Sequence, residues 1–331
     1  MGMKILVIGK EGRLKKNSDP AKYASHTFVY VPVDATDEML LEAGGDADVV
    51  IVDAISKVSA NVIARMPNLK MIHSEGVGYQ GVDTKAAAER RIPVCNCKGM
   101  NATAVAEQTI LLMLGLLRSF VTGDRAVREG RQIEVKESHM LNGTLKEMAD
   151  CTIGLVGLGD IGKETAKLAN AFGARVIYYC RHRKSEAEET SLNVTYKPLD
   201  ELLAESDIVS LLVPVTPDTM NMADKAFFDK MKEGAYLVNT ARGELVDSKA
   251  LLDALRSGHL AGAGLDCIAG EPVRSDNVLL QGEMEIEDKL ILSCHVGGIT
   301  KSSFKRGYDM VWKAIEAIEK GEMPDHVVNQ W

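Results

Sequence analysis

Short apolar runs alternate with amphipathic, helix-like segments along most of the chain. In the first hundred residues, the runs at 4–9, 49–53, 69–73 and 93–96 predict strands, and the segments at 37–43, 59–65 and 84–91 predict helices between them. Strands that are joined through helices pair in parallel within one sheet. The first part of the chain therefore predicts a parallel sheet with helical crossovers.

A second alternation follows a long apolar helix. This helix is predicted to begin near Asn101 or Thr103, either a suitable N-cap, and to run towards Arg118. Strands are predicted at 152–156, 175–179, 208–213, 235–239, 263–266 and 290–293, and helices at 160–172, 198–206, 225–231, 248–257 and 302–320. The fold class expected is α/β, with two doubly wound parallel-sheet lobes and a cleft between them, where small-molecule sites usually lie.

A glycine-rich turn lies between the strand at 152–156 and the helix that follows it. Gly157 allows the tight turn, Gly159 lets the backbone approach a pyrophosphate, and Gly162 lets helix and strand pack closely. The pyrophosphate would bind at the helix N-terminus, whose N–H groups and dipole favour anions. The turn alone would equally suit another nucleotide, such as S-adenosylmethionine.

Composition and charge narrow the class of partner. The chain has 331 residues, 46% hydrophobic and 26% charged, which is enough for two domains with their own cores. Its formal net charge is −8 and it has no long basic run, so nucleic acid is not expected as a partner. The longest apolar stretch, at 109–117, is too short to span a bilayer, so no membrane partner is expected.

The six cysteines do not predict a disulfide framework or a metal site. Cys95 and Cys97 form a C-x-C pair and the others are scattered, without the clustered Cys and His of a metal centre. The first nine residues resemble a core strand and lack the charged lead and cleavage site of a signal peptide. We therefore expect buried reduced thiols, no bound metal and a cytoplasmic location.

Three later segments each begin at the carboxyl end of a predicted strand and carry one reactive side chain. Arg242 can hold a carboxylate bidentately and polarise an adjacent carbonyl, and His295 can move a proton to or from the reacting oxygen. Glu271, if it pairs with His295, favours the imidazolium that carbonyl reduction needs. His73 is the rival acid, because it lies just before a glycine-rich loop, whereas His259 is better explained as a helix C-terminal cap.

Taken together, these motifs resemble the D-isomer-specific 2-hydroxyacid dehydrogenase family over nearly the whole chain. Residues 76–83 look like the substrate-binding loop of the family, and residues 101–107 look like the start of its hinge helix. The resemblance implies a Rossmann-like cofactor domain of residues 101–298, inserted into a flavodoxin-like substrate domain of residues 1–100 and 299–331. It also implies a homodimer.

The resemblance further implies roles for particular residues. Arg242, Glu271 and His295 would be catalytic, and Asp266 would hold the nicotinamide carboxamide. The substrate would contact Val77, Gly78, Tyr79, Asn101 and Arg242, with the Val77 and Gly78 N–H groups on its carboxylate. The cofactor would contact Thr109, Gly157, Gly159, Asp160, Ile161, Gly162, Cys180, Arg181, Arg183, Val213, Pro214, Thr219, Thr240, Ala241, Asp266, His295, Gly297 and Gly298.

The residue that would select between NAD and NADP departs from the family pattern. Cys180 stands where an acidic residue would bind the ribose hydroxyls, and Arg181 and Arg183 follow it. Without the carboxylate, a 2′-phosphate is not repelled, and the arginines can add charge-assisted contacts. The sequence favours NADP(H), with NAD(H) possible if this turn is only a solvated basic segment.

Four further residues leave the substrate side chain open. Leu212, Gln132 and Cys294 replace the His, Trp and Pro that many relatives carry, and Lys98 is either a ligand for an anionic substrate tail or a solvated lysine. The function expected is reversible reduction of a small 2-oxo acid, such as glyoxylate or hydroxypyruvate, to the D-2-hydroxy acid by NAD(P)H. The alternatives are a phosphite- or formate-type dehydrogenase, or a nicotinamide-sensing corepressor-like binding protein.

Overall fold

Two compact units make up the chain. The computed structural model describes residues 2–10, 12–53, 56–281 and 284–331. Unit 1 comprises Met1–Asn101 and Ile299–Trp331, and unit 2 comprises Ala102–Gly298. Unit 1 contains a five-stranded parallel sheet and unit 2 a seven-stranded one, which confirms the predicted class of two parallel-sheet α/β lobes.

The sheet of unit 1 is formed by the first hundred residues. Its strands are β1 (Lys4–Ile8), β2 (Thr27–Val31), β3 (Val49–Val52), β4 (Met71–Ser74) and β5 (Val94–Cys95). They are joined by α1 (Arg13–Lys16), α2 (Pro20–Ala24), α3 (Asp37–Gly44), α4 (Ala60–Arg65) and α5 (Thr84–Glu89). The spatial order is β2-β1-β3-β4-β5, and each neighbouring pair is parallel.

Both faces of this sheet are covered, which explains its uniformly apolar central strands. Successive residues of a strand point to opposite faces. Leu6 therefore belongs to one buried cluster with Leu40, and Ile5 to another with Trp312 of the last helix. A parallel sheet buried on both faces shows continuous apolar runs rather than alternation.

Unit 2 begins with three helices and continues as a seven-stranded sheet. The opening helices are α6 (Ala102–Leu117), α7 (Phe120–Arg128) and α8 (Gln132–Asn142). The strands are β6 (Thr152–Val156), β7 (Arg175–Tyr179), β8 (Thr195–Tyr196), β9 (Ile208–Leu211), β10 (Ala235–Asn239), β11 (Leu260–Leu265) and β12 (Leu290–Leu292). The crossover helices are α9 (Asp160–Ala171), α10 (Glu186–Leu192), α11 (Leu199–Glu205), α12 (Lys225–Lys230), α13 (Ser248–Arg256) and α14 (Met284–Glu287), and α15 (Lys301–Glu319) belongs to unit 1.

The strand order of unit 2 determines where its loops meet. The order is β12-β11-β10-β9-β6-β7-β8, so the connections turn in opposite directions on the two sides of the β9–β6 pair. The loops that follow β6 and β9 therefore flank a topological switch point, where ligands bind in open parallel sheets.

Helix α6 is apolar almost all round because it is buried against this sheet. Gly264 of β11 permits close packing, since a Cβ on it would lie 3.0 Å from the Leu112 Cβ. Within the described part of the chain, no single helix is long and apolar enough to cross a bilayer; α6 and α7 pass that test only as a pair bent by 61°.

The differences from the predicted elements lie at the sheet edges, in the linker helices and in several short helices. The pattern predicted neither the edge strands β2 and β8 nor the helices α1, α2, α7, α8, α10 and α14. The strand predicted at 263–266 is β11, which starts three residues earlier at Leu260. Edge strands have a partner on one side only, and of the residues in α7 and α8 only Ala126 is buried, so neither helix shows the apolar core face of a buried helix.

Candidate active site

The glycine turn between β6 and α9 has the geometry of a phosphate-binding loop. Gly157 has φ +114°, and a Cβ on it would lie 2.6 Å from the Leu212 carbonyl oxygen. A Cβ on Gly162 would lie 2.4 Å from the Gly157 oxygen, whereas a Cβ on Gly159 would meet nothing within 4 Å. The turn thus requires glycine at both ends for packing and leaves open space at its centre.

The start of α9 offers free donors next to that open space. The N-cap is Gly159, which has no side chain to accept a hydrogen bond from the first N–H groups of the helix. The first N–H groups of a helix have no intrahelical partner, so those of Asp160, Ile161 and Gly162 are available to an anion. The residues present therefore fit the pyrophosphate of a dinucleotide.

Two arginines, Arg181 and Arg183, follow the end of β7. Among the described residues, an acidic side chain binds Arg183 but not Arg181. Arg183 donates from Nε and Nη2 to the two carboxylate oxygens of Glu189, at 2.8 Å each, and its guanidinium lies 5.5 Å from the Tyr196 ring centroid. Cys180 Sγ donates to the His182 carbonyl at 2.8 Å. Arg181 is exposed and makes no ion pair within the described ranges.

Glu189 is the centre of this small network. Tyr178 donates its hydroxyl to Glu189 at 2.8 Å, and the hydrogen bonds from Arg183 and Tyr178 lower the pKa of Glu189 from 4.5 to about 2. The Lys184 backbone N–H donates to the Tyr178 oxygen at 2.9 Å. The network fixes the turn that follows Cys180.

The loop after β9 is shaped by hydrogen bonds between its threonines. Thr219 Oγ1 donates to the Pro214 carbonyl and accepts from the Thr216 N–H, both at 2.7 Å. Val213 faces the glycine turn, because its Cγ1 lies 3.0 Å from the position of a Cβ on Gly157. Pro214 is exposed, so this loop presents a surface beside the phosphate-binding turn.

Arg242 follows β10 in a turn that Asn239 braces. The buried Asn239 side chain donates to the Arg242 carbonyl at 2.8 Å and accepts from the Ala241 N–H at 3.0 Å. Arg242 is exposed and donates from Nη1 to the Ala241 carbonyl at 2.7 Å. Asn239 was not among the predicted site residues, since a buried asparagine at a strand end has no motif of its own.

Glu271 and His295 form a close hydrogen-bonded pair at this edge. His295 Nδ1 lies 2.6 Å from Glu271 Oε2, and the Ile268 N–H donates to Glu271 Oε1 at 2.8 Å. The His295 side chain is 45% exposed and the Glu271 side chain is 35% exposed. The backbone holds one oxygen of the carboxylate while the other orients the imidazole, and Nε2 of His295 has no hydrogen-bond partner within the described residues.

A buried carboxylate anchors the segment that carries His295. Asp266 accepts from Ser293 Oγ (2.5 Å) and from the N–H groups of Val296 (3.0 Å) and Gly297 (2.9 Å). The His295 N–H donates to the Asp266 carbonyl at 2.9 Å. The structure thus gives Asp266 a positioning role in addition to the cofactor contact implied by the resemblance.

Two residues behind this edge support it. Gln108 of α6 donates to Ser293 Oγ at 3.0 Å. Thr109 Oγ1 lies 2.8 Å from Thr240 Oγ1 and donates to the Val105 carbonyl, and its side chain is fully buried. Thr109, predicted to contact the cofactor, is therefore placed to orient Thr240, which presents only 5% of its surface.

The loop at 76–81 belongs to unit 1 and directs its carbonyl groups inward. The carbonyls of Gly76, Val77 and Gly78 accept from the Cys97 N–H (2.9 Å), Asn96 Nδ2 (2.7 Å) and Ser74 Oγ (2.6 Å). Within the described residues, nothing accepts from the N–H groups of Val77 and Gly78. Adjacent free N–H groups of this kind suit a carboxylate.

The remaining predicted residues make fewer contacts that bear on the site. The Tyr79 N–H donates to Gln80 Oε1 at 3.1 Å, and Asn101 ends the first segment of unit 1. Lys98, Gln132 and Cys294 are exposed, and Leu212 packs against the core of unit 2. Gly298 closes unit 2 immediately after Gly297.

The structure excludes His73 as the proton donor. The His73 side chain is buried, its Nδ1 lies 2.8 Å from the Ser74 carbonyl oxygen, and burial lowers its pKa to about 4. It is therefore uncharged near neutral pH and is enclosed by the core of unit 1. His259 Nε2 lies 2.8 Å from the carbonyl of Phe228, in the last turn of α12 rather than of its own helix.

Comparison with known proteins identifies 2-hydroxyacid dehydrogenases and related reductases as similar to this chain, both in sequence and in structure. Residues 110–297 match the family model described as D-isomer specific 2-hydroxyacid dehydrogenase, NAD binding domain. The chain is 36% identical over 293 residues to a glyoxylate reductase of Thermofilum pendens, covering 88% of this chain and 84% of that protein.

Solved structures agree over the full length. The apo form of D-mandelate dehydrogenase from Rhodotorula graminis superposes with a TM-score of 0.85 at 27% identity, covering 100% of this chain and 98% of that one. D-lactate dehydrogenase with NAD⁺ from Lactobacillus jensenii gives 0.82 at 27% identity, with coverage of 99% and 100%.

The Glu189 network predicts a pH-dependent contribution to stability. The pKa of Glu189 is about 2 in the folded chain and near its ordinary value of 4.5 when unfolded. The carboxylate therefore stabilises the fold fully above about pH 4.5, and this contribution is lost as the pH falls towards 2. Glu189→Gln should destabilise most at pH 7 and progressively less below pH 4.5, in urea unfolding measured at each pH.

The matched control is Glu201→Gln, because the Glu201 carboxylate is 58% exposed and reaches Lys197 only at 3.4 Å. This variant should change unfolding little at any pH. A difference between Glu189→Gln and the unmodified chain that stays constant from pH 7 to pH 3.5 would contradict the assignment.

Proposed function

This chain belongs to the D-isomer-specific 2-hydroxyacid dehydrogenase family, and on that basis we propose that it reduces a small 2-oxo acid, of the glyoxylate or hydroxypyruvate type, to the D-2-hydroxy acid. The observation that carries the proposal is the 2.6 Å contact between Glu271 and His295, on the same sheet edge as the Arg242 turn and the glycine turn. This contact places the proposed proton donor at the sheet edge that also carries the nucleotide-binding turn.

Each residue of this edge has a defined task in the proposed reaction. Arg242 binds the substrate carboxylate and draws electron density from the carbonyl, using the N–H groups that do not bind Ala241. His295 gives its proton to the carbonyl oxygen, and Glu271 stabilises the imidazolium before transfer. A bound nicotinamide supplies the hydride that adds to the carbonyl carbon. In unit 1, the Val77 and Gly78 N–H groups are proposed to bind the carboxylate.

Removal of the proton donor should reduce turnover without affecting the cofactor. We expect His295→Ala to lower kcat by at least about 100-fold, because a positioned general acid contributes about 10²–10⁴-fold. Nicotinamide binding, measured by cofactor fluorescence, should change little because the phosphate-binding turn lies after a different strand. Steady-state kinetics with glyoxylate and hydroxypyruvate measure the effect.

The control for this variant is His326→Asn, which removes an exposed imidazole from unit 1 and keeps a residue that tolerates its φ of 58°. It should leave kcat unchanged. An undiminished kcat in His295→Ala would refute the assignment of the proton donor.

We further propose that the cofactor is NADP(H). Cys180 occupies the position where a carboxylate would bind the ribose hydroxyls. Arg181 is exposed on the same turn and makes no ion pair in the described part of the chain. Arg183 is engaged by both oxygens of Glu189. These contacts support Arg181, rather than the predicted pair, as the partner of the 2′-phosphate.

Arg181→Ala should therefore lower kcat/KM for NADPH by about 10-fold or more, since hydrogen bonds to charged groups contribute about 1.5–3 kcal/mol. The value for NADH should change little. Arg183→Ala is the matched control and should affect NADPH less than Arg181→Ala does. A preference of the unmodified enzyme for NADH would contradict the proposal, as would equal losses with both cofactors.

We also propose a homodimer, located in the cytoplasm, where thiols such as the six free cysteines stay reduced. Helices α7 and α8 expose the apolar side chains of Val127, Ile133, Met140 and Leu141, which are 58–86% exposed, and Val127 and Met140 line a groove of about 480 Å³. Exposed apolar patches on a helix pair often mark an interface. A second copy of the chain is the proposed occupant, since a two-fold pair would bury the same patch twice.

Met140→Asp should convert the dimer into monomers, measured by sedimentation velocity. The control is Met323→Asp, because Met323 is a similarly exposed methionine (62%) in unit 1. A monomeric unmodified chain, or a Met140→Asp variant that sediments as a dimer, would count against this interface.

A further inference from the structure

A cysteine that the proposed reaction does not use lies beside the Glu271–His295 pair. The ligand atoms of Cys267, Glu271 and His295 all lie within 4.8 Å of one another. We propose that these three side chains bind a thiophilic divalent cation such as Zn²⁺, and that the cation inhibits the enzyme by occupying His295. The binding goes beyond the proposed function, whereas the inhibition rests on it.

The donor set has the chemistry that Zn²⁺ prefers. Zinc binds thiolate sulfur, imidazole nitrogen and carboxylate oxygen in a tetrahedron, and three protein ligands leave a fourth position for water. Metal–ligand bonds of about 2.0–2.3 Å place the donors roughly 3.3–3.8 Å apart. The observed spread of up to 4.8 Å therefore needs only small side-chain movements.

The site combines one buried ligand with two that are partly exposed. Cys267 is only 2% exposed, lies two residues after β11 and donates its Sγ proton to the Ala241 carbonyl at 3.3 Å. Glu271 and His295 are partly exposed and must separate from 2.6 Å to admit the ion. A buried sulfur beneath two partly exposed donors gives a cation access from solvent.

The charges of the ligands match a divalent ion. A coordinated thiol is deprotonated, so Cys267 and Glu271 together supply two negative charges. Without a metal, burial raises the pKa of the Cys267 thiol to about 12 and keeps it neutral. The nearby positive charge of Arg242 acts on the same thiol, so we expect weaker binding than in structural zinc sites.

Cobalt binding to the full, metal-free chain tests the site directly. Co²⁺ should produce a thiolate-to-cobalt charge-transfer absorption that saturates at one ion per chain, and Zn²⁺ should abolish it. Cys267→Ala should lack this absorption and bind Zn²⁺ about 100-fold or more weakly in competition with a chromophoric chelator, because even outer-shell changes typically weaken metal sites 10–100-fold. Cys267→Val, which fills the same space, provides a second variant if the alanine variant is unstable.

Cys294→Ala is the matched control, because Cys294 is exposed and adjacent to His295 in sequence but lies outside the cluster. It should retain the cobalt absorption. Zn²⁺ should inhibit reduction of the 2-oxo acid by the unmodified enzyme, and Cys267→Ala should keep its turnover and resist the inhibition.

The spectrum separates this proposal from the proposed function, because it needs no turnover. A chain without 2-oxo acid reductase activity would still show the cobalt absorption if the site exists. Absence of the thiolate band in the unmodified chain, or its loss in Cys294→Ala but not in Cys267→Ala, would overturn the proposal.

Discussion

Parallel pairing is the constraint on which the rest of this molecule depends. Neighbouring strands in each sheet run in the same direction, so every loop that follows a strand begins at the same edge. In unit 2 this brings together the glycine turn after β6, the Arg242 turn after β10, the loop after β11 that carries Glu271, and His295 after β12. No single segment contains the site, and the sheet assembles it.

Asp266 shows how that assembly is made rigid. Its buried carboxylate receives three hydrogen bonds from Ser293, Val296 and Gly297, and its carbonyl receives the His295 N–H. Gly243 adds a second constraint, because a Cβ on it would lie 2.1 Å from the Ile268 carbonyl carbon. The turn that carries Arg242 therefore packs directly on the backbone leading to Glu271.

The sequence was sufficient to predict the two parallel sheets, because buried strands appear as apolar runs and the runs alternate with helices. It was not sufficient to predict β2, β8, α7 and α8, whose surfaces are only partly buried, or the short helices α1, α2, α10 and α14. A site that is marked by a local sequence motif was predictable, such as the glycine turn at Gly157–Gly162. Contacts between distant residues were not: the bracing by Asn239, the capture of Arg183 by Glu189 and the approach of Cys267 to His295 exist only after folding.

The central claim is that the edge of unit 2 reduces small 2-oxo acids. The most direct test is to supply the purified chain with glyoxylate, hydroxypyruvate, pyruvate and branched or aromatic 2-oxo acids, each with NADH and with NADPH, and to determine the configuration of the chiral products. We predict cofactor oxidation with at least one of these acids and D-configured products. Oxidation of phosphite or formate with no reduction of any 2-oxo acid, or cofactor binding without turnover, would contradict the claim.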